Sequence, residues 1–287
     1  MRDKFLSSDN SKYKDLAVGV RTFSLPAMIL DKKVADLPRG TLLCPGACLC
    51  AQGCFAVKGR MGTMRVCKER RYDCLWLTRQ PDFVVRMARE ITGELKGRGH
   101  KPVEYVRIHD SGEFYSLQYF KSWMNICRLF PQLKFWAYTK MTKMVKDHHS
   151  NVPPNLQIVF SEGGWWDHLI DRDRDKHSRI FWDHKHMERV NGGYRRNAGA
   201  TPLYADGASS TMGDIDAVFG PSNVGLVFHG QGKRFTTDPG HPMFPEIVRR
   251  EQAYINGVHK KMGWFENPQG LMCRPSPQSH TREHAKY

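Results

Sequence analysis

Four of the eight cysteines of this 287-residue chain fall within eleven positions: Cys44, Cys48, Cys50 and Cys54, spaced C-x3-C-x-C-x3-C. Thiolates bind soft metals, and several on one short loop can hold an iron–sulfur cluster or zinc. Structural zinc sites usually use two separated C-x2-4-C pairs, which wrap the ion from two directions. Here all four thiols lie on one loop. Cys67 and Cys74 could complete a zinc site, but the gap between them is wide. The spacing therefore favours an iron–sulfur cluster, with zinc as the alternative and unligated thiols as the bland case. Cys127 falls on an apolar helical face and is expected in the core. Cys273 stands apart near the C-terminus.

A second group of chemistry-bearing residues is "HDSGEFYS", His109 to Ser116. Gly112 allows close backbone approach by a ligand. Glu113 precedes a helix whose N-terminal dipole favours negative charge, so it could receive an ammonium group or act as an acid or base. His109, Asp110 and Glu113 together would serve a metal-independent hydrolase or transferase. Ser116 reads as the helix cap. Lys140 closes "YTK" and could neutralise a carboxylate or phosphate. Ser161 opens "SEGG", whose Gly163 and Gly164 match no phosphate-loop pattern. His229 and Gly230 end "VFHG". Trp165 and Trp166 are either a stacking platform for a base or core packing. "DHKH" (183–186) is either a second metal site or a solvated helix face.

These residues need elements to position them. "PDFVVRMAREITGEL" puts Phe83, Val84, Met87, Ala88, Ile91 and Leu95 on one helical face, with Gly97 and Gly99 ending it. "VEYVRIHD" follows as a strand. "SLQYFKSWMNICRLF" places Leu117, Phe120, Trp123, Met124, Cys127 and Phe130 in helical register, stopped by Pro131. "LKFWAYTK", "NLQIVFSEGG", "SRIFW" and "NVGLVFHG" are further strands, "MTKMVKDHH" is a short helix or turn, and "TLL" is a possible first strand. Strands alternating with helices predict a parallel sheet, closed or open, with its chemistry on loops at the strand C-termini. Strand after strand ends in polar or glycine residues, as that rule requires.

About 40% of the residues are hydrophobic, enough to bury a sizeable core without disulfide staples. No signal segment or membrane span is evident, so a reducing, cytoplasmic setting is expected, where clustered cysteines point to metal or catalysis. One α/β domain over residues 1–272 and a polar tail over 273–287 are expected. A net charge of +15 makes nucleic acid, or a nucleotide-bearing substrate, the leading partner class.

The motifs "FSLPA", "CPGACLCAQGCFAVKG", "VRIHDSGEFYSLQYFKSW", "FWAYTK", "FSEGGWWD" and "VGLVFHG" occur in one order and together resemble the phage gene-product-88 family. More distantly, the layout resembles the radical S-adenosylmethionine enzymes. That resemblance implies a partial (β/α)6 barrel and a cysteine loop after the first strand, with three thiolates on a [4Fe–4S] cluster. It also implies an open iron that binds S-adenosylmethionine, and a reductant partner. Ser111, Gly112 and Glu113 would stand at the cofactor's amino group, and Lys140 and Ser161 at cofactor or substrate. The superfamily's common loop is C-x3-C-x2-C, from which this one departs. If three thiols ligate, Cys48 or Cys50 is the spare. If all four ligate, the cluster is closed, and the protein is a non-catalytic, metal-stabilised nucleic-acid binder.

Overall fold

A computed structural model of the chain describes residues 4–8, 13, 16–51, 54–58, 60–97, 101–190, 194–196, 214–227, 235–249, 265–266 and 272–273. Strands β1 (Gly19–Phe23), β2 (Val103–Ile108), β3 (Lys134–Thr139), β4 (Leu156–Ser161) and β5 (His177–Phe181) lie side by side in chain order. Strand β7 (Asn223–Val227) continues beside β5, and β6 (Tyr194–Arg196) takes the far edge. Every pairing in this sheet is parallel. The sheet curls into a half-barrel, compatible with a partial barrel. Strands β8 (Phe265–Glu266) and β9 (Met272–Cys273) form a separate antiparallel pair.

Helices α1 (Phe55–Lys58), α2 (Arg60–Thr63), α3 (Arg65–Thr78) and α4 (Phe83–Glu94) occupy the connection from β1 to β2. Helix α5 (Leu117–Leu129) joins β2 to β3, and α6 (Thr142–Lys146) joins β3 to β4. Helices α7 (His184–Arg189) and α8 (Asp214–Phe219) come later. The expected helical faces are the buried ones: Phe83, Met87 and Ile91 on α4, and Phe120, Trp123, Met124 and Cys127 on α5. Ser116 caps α5, its hydroxyl accepting the Tyr119 amide at 3.2 Å. Phe23 of β1 meets Trp123 at 5.3 Å between ring centroids, so the two helices close over the sheet. The strands alternate as a two-sided sheet must. Phe135 and Ala137 join the core under α4 and α5, whereas Trp136 joins a second cluster with Ile215 and Val218 of α8.

One expectation fails locally. "TLL" is not the first strand, since Leu42 makes only an isolated bridge with Ile29. The first strand is "GVRTF", all five residues of which are buried. Arg21 hides it from pattern reading: a buried arginine breaks the apolar run, and its ion pair with Glu94 of α4 and its hydrogen bonds to the Val20 and Lys101 carbonyls make that burial tolerable. Helix α3 escaped detection for the same reason, because Arg71 lies buried among Cys74, Leu75 and Leu77. The expected strand end at His229 and Gly230 lies outside the described residues. Among the described residues, no helix is long and apolar enough to cross a membrane.

Candidate functional site at the strand ends

The cysteine loop lies across the C-terminal ends of β3 and β4. Cys48 and Cys50 donate their amides to the Gly163 carbonyl at 3.3 and 3.1 Å, and the Trp165 amide donates to the Gly46 carbonyl at 2.9 Å. A side chain at Gly46 would lie 2.5 Å from the carbonyl oxygen of Lys140, so the loop reaches its seat only through glycine. Gly163, at φ +95°, supplies the matching turn from the "SEGG" side. Thus "CPGACLC" and "SEGG", more than a hundred residues apart, are one packed unit.

The four thiols divide three to one. Cys48 is fully buried in the core beneath the loop, and its sulfur is disulfide-bonded. Cys44, Cys50 and Cys54 are half-buried. Burial pushes the Cys44 thiol up strongly, and the negative charge that Cys54, Glu113 and Cys50 would carry adds to the shift. Each of those three groups is therefore within electrostatic reach of Cys44. Cys44 Sγ also accepts the Met28 amide at 3.2 Å. Desolvation acts to lower the Lys140 ammonium, but Cys50, Glu113, Asp167 and Cys44 outweigh it and raise its pKa. Among the described residues, no three Cys, His, Asp or Glu side chains stand gathered at ligand distance around one point. The donors are neighbours without being a closed cage.

Around the thiols, "HDSGE" and the next two strand ends interlock. Glu113 is buried, and burial raises its pKa against the hydrogen bonds it accepts. Its Oε1 accepts from the Phe114 amide and Thr139 Oγ1, and its Oε2 from the Lys140 amide, each at 2.7 Å. Lys140 Nζ donates to Ser161 Oγ at 2.7 Å. Glu113, Lys140 and Ser161 are thus brought together beside Cys44 and Cys50. Gly112, at φ +92°, passes so close to Leu25 that a Cβ would meet the leucine Cβ at 2.5 Å. Ser111 Oγ donates to the Leu25 carbonyl at 2.7 Å, which ties "FSLPA" to the same unit.

His109, Asp110 and Glu113 do not converge. His109 points into the core at φ +64°, hydrogen-bonded to the Tyr119 hydroxyl at 2.7 Å. Burial lowers its pKa to about 3, so the ring is neutral. Asp110 accepts from Ser24 on the β1 side, and Glu113 turns toward β3. Among the described residues the three share no hydrogen-bond partner. Trp165 and Trp166 are buried in the core rather than offered for stacking.

Sequence reading missed three participants. Asp167 accepts the Gly163 and Gly164 amides at 2.7 and 2.9 Å, and burial raises its carboxyl to about 6. Arg71 reaches from α3 to the Ala56 carbonyl at 3.0 Å and to Ser111 Oγ at 3.4 Å. Glu162, the second letter of "SEGG", is buried between Arg172 and Arg179. Arg179 also pairs with Asp238 at 3.2 Å, and Asp238 with His186 at 2.7 Å. "DHKH" is therefore neither of the two alternatives: Asp183 caps α7, while His186 is buried in this network.

Fold and site together define an α/β protein with a thiol-bearing loop seated on the C-terminal rim of a parallel half-barrel. The chain belongs to the gene product 88 family, whose model matches residues 4–238. It is similar to the Gene 88 protein of Mycobacterium phage L5, with 30% identity over 134 residues, 44% of this chain and 54% of that protein. It is also similar to the Gene 88 protein of Mycobacterium phage D29, with 28% identity over 132 residues and the same shares. The match spans about half the length of these relatives. No solved structure matches the chain.

Proposed function

We propose that this protein carries a [4Fe–4S] cluster held by Cys44, Cys50 and Cys54, and acts as a radical S-adenosylmethionine-like enzyme. The observation that carries the reading is the three-to-one division of the loop. Cys48 is committed to the core, whereas Cys44 neighbours Cys50, Cys54 and Glu113, and Lys140 neighbours Cys44 and Cys50 at the strand ends. The donor set fits the group: three soft thiols suit an iron–sulfur cluster and leave one iron open. Burial, and secondarily the charge of Cys54, Glu113 and Cys50, raises the Cys44 thiol, a penalty that a cationic metal core would relieve.

When bound, the cluster would supply the electron for reductive cleavage of S-adenosylmethionine. The chain's own residues bind and orient. Glu113 Oε2 keeps acceptor capacity beyond the Lys140 amide, so it can receive the cofactor's amino group. The Lys140 ammonium, steered by Ser161, would pair with a carboxylate. The basic surplus supports a nucleotide or nucleic-acid-related substrate.

Anaerobic purification with iron, sulfide and zinc analysis tests the cluster. About four irons per chain are expected. The electron paramagnetic resonance signal of the reduced protein should shift when S-adenosylmethionine is added. A signal indifferent to it would leave a cluster protein without this activity, and stoichiometric zinc with no iron would overturn the reading.

A further inference from the structure

A cavity of about 190 Å³ opens behind the cysteine loop. Pro26, Ala27 and Ile29 form one side and Ala56 and Val57 another, and the cations Lys68 and Arg71 complete it with Asp31 and Tyr72. Arg71 decides its chemistry. The residue is only 5% exposed, yet it has no carboxylate within ion-pair distance among the described residues. Its hydrogen bonds run from Nε to the Cys67 carbonyl and from Nη1 to Ala56 and Ser111. Nη2 makes none within the described residues, and its donors are left for whatever occupies the cavity. A guanidinium buried in this way is costly unless an anion meets it.

The neighbouring charges point the same way. Lys68 sits 3.6 Å from Asp31, and Lys32 lies over the Tyr72 ring at 4.2 Å. Asp31 is the single carboxylate of the lining, and it already accepts from the Tyr72 hydroxyl. Lys68 and Arg71 in the lining and Lys32 beside Tyr72 outnumber the two carboxylates that act on them, Asp31 in the lining and Asp110 near Arg71, which leaves a net positive pocket with an apolar wall. Ligand sites for drug-sized molecules run to roughly 300–1,000 Å³, so this cavity admits a smaller guest and excludes a nucleotide.

We propose that this cavity is a binding site for a small anion with a short apolar body, a carboxylate or phosphate ester, whose charged head pairs with Arg71 Nη2 and Lys68. The site adjoins the strand-end thiols, with Cys54 in electrostatic reach of Arg71, but does not depend on the function proposed for them. Arg71 connects the two physically, since it also holds Ala56, two residues after Cys54, and Ser111 of "HDSGE".

Calorimetric titration of the full chain with butyrate, with ethyl phosphate and with inorganic phosphate, against matched chloride, tests this directly. Saturable one-to-one binding of at least one of the three is expected, and the preference among them tells carboxylate from phosphate and shows whether the apolar body matters. Arg71→Gln should weaken binding about tenfold or more, because a charge-assisted bond is lost, and Lys68→Met should weaken it less. As Arg71 also braces the fold, Ala27→Leu provides the independent control. It fills the cavity, leaves every charge in place, and should abolish binding in a protein whose thermal midpoint is kept. Absence of saturable binding in the folded wild type, or binding unchanged in Ala27→Leu and Lys68→Met, would overturn the proposal.

Discussion

Two polar regions lie at the C-terminal rim of the sheet, and they are built on opposite plans. At β5, Glu162, Arg179, Asp238 and His186 form a chain in which each charge meets a partner. Glu162 accepts from Arg179 at 2.6 and 3.0 Å and from Arg172 at 3.1 Å. His186 is engaged at both ring nitrogens, by Asp238 and by the Trp182 amide. Such a closed network fixes geometry and has nothing to offer a ligand. At β2 to β4, the polar groups are equally enclosed but the set is not closed. Cys50 and Cys54 crowd Cys44, and the Lys140 ammonium is surrounded by groups of negative charge with no carboxylate in direct contact with it among the described residues. The contrast separates a brace from a site by the donors left over, not by the number of charges.

The largest effect that tests this contrast concerns metal. Cys44→Ala and Cys54→Ala should each remove nearly all cluster iron, while Cys48→Ala should keep it and lose stability through its core contacts and its disulfide, as iron analysis and thermal melts would show. Equal iron loss in all three would restore the four-thiol loop. Next in size, Glu162→Ala should cost about 3 kcal/mol, because it takes the main carboxylate from buried Arg179 and leaves Asp238 as its partner. Denaturant titration would measure that loss, and iron content should not change; if it did, the two regions would be one. A smaller cost, about 1–3 kcal/mol, is expected for Gly112→Ala, which needs a left-handed backbone and meets Leu25. Unlike Glu162→Ala, it should also disturb the thiol site.

The smallest effect lies away from both regions. Glu90 on α4 accepts the amides of Phe5 and Leu6, and burial raises its pKa to about 7. Because the folded value lies above the unfolded one, the native state binds the proton first. Stability should therefore rise as pH falls from about 7 toward the ordinary glutamate value near 4.5. Glu90→Gln should flatten that slope in thermal melts between pH 5 and 7, leaving metal content and the Glu162 network as they were.

Periodic elements were legible in the sequence, and irregular ones were not. Helices α4 and α5 announced themselves because their apolar residues recur on one face, and Ser116 and Pro131 marked the limits of α5. Strand β1 and helix α3 did not, since each buries an arginine whose partner is distant in sequence: Glu94 for Arg21, and the Ala56 carbonyl and Ser111 for Arg71. Local patterning reads a charge as surface, and only a tertiary contact can contradict it.

The cysteine loop shows the same boundary. By itself the sequence determined that four soft donors share one short loop, that strand ends carry Glu113, Lys140 and Ser161, and that the chain belongs with its phage kin. Only the tertiary structure decided that Cys48 turns into the core, that Gly163 and Gly46 seat the loop on β4, and that His109 and Asp110 turn away from Glu113. The physical reason is that an irregular loop has no period, so its side-chain directions are set by the surface on which it packs.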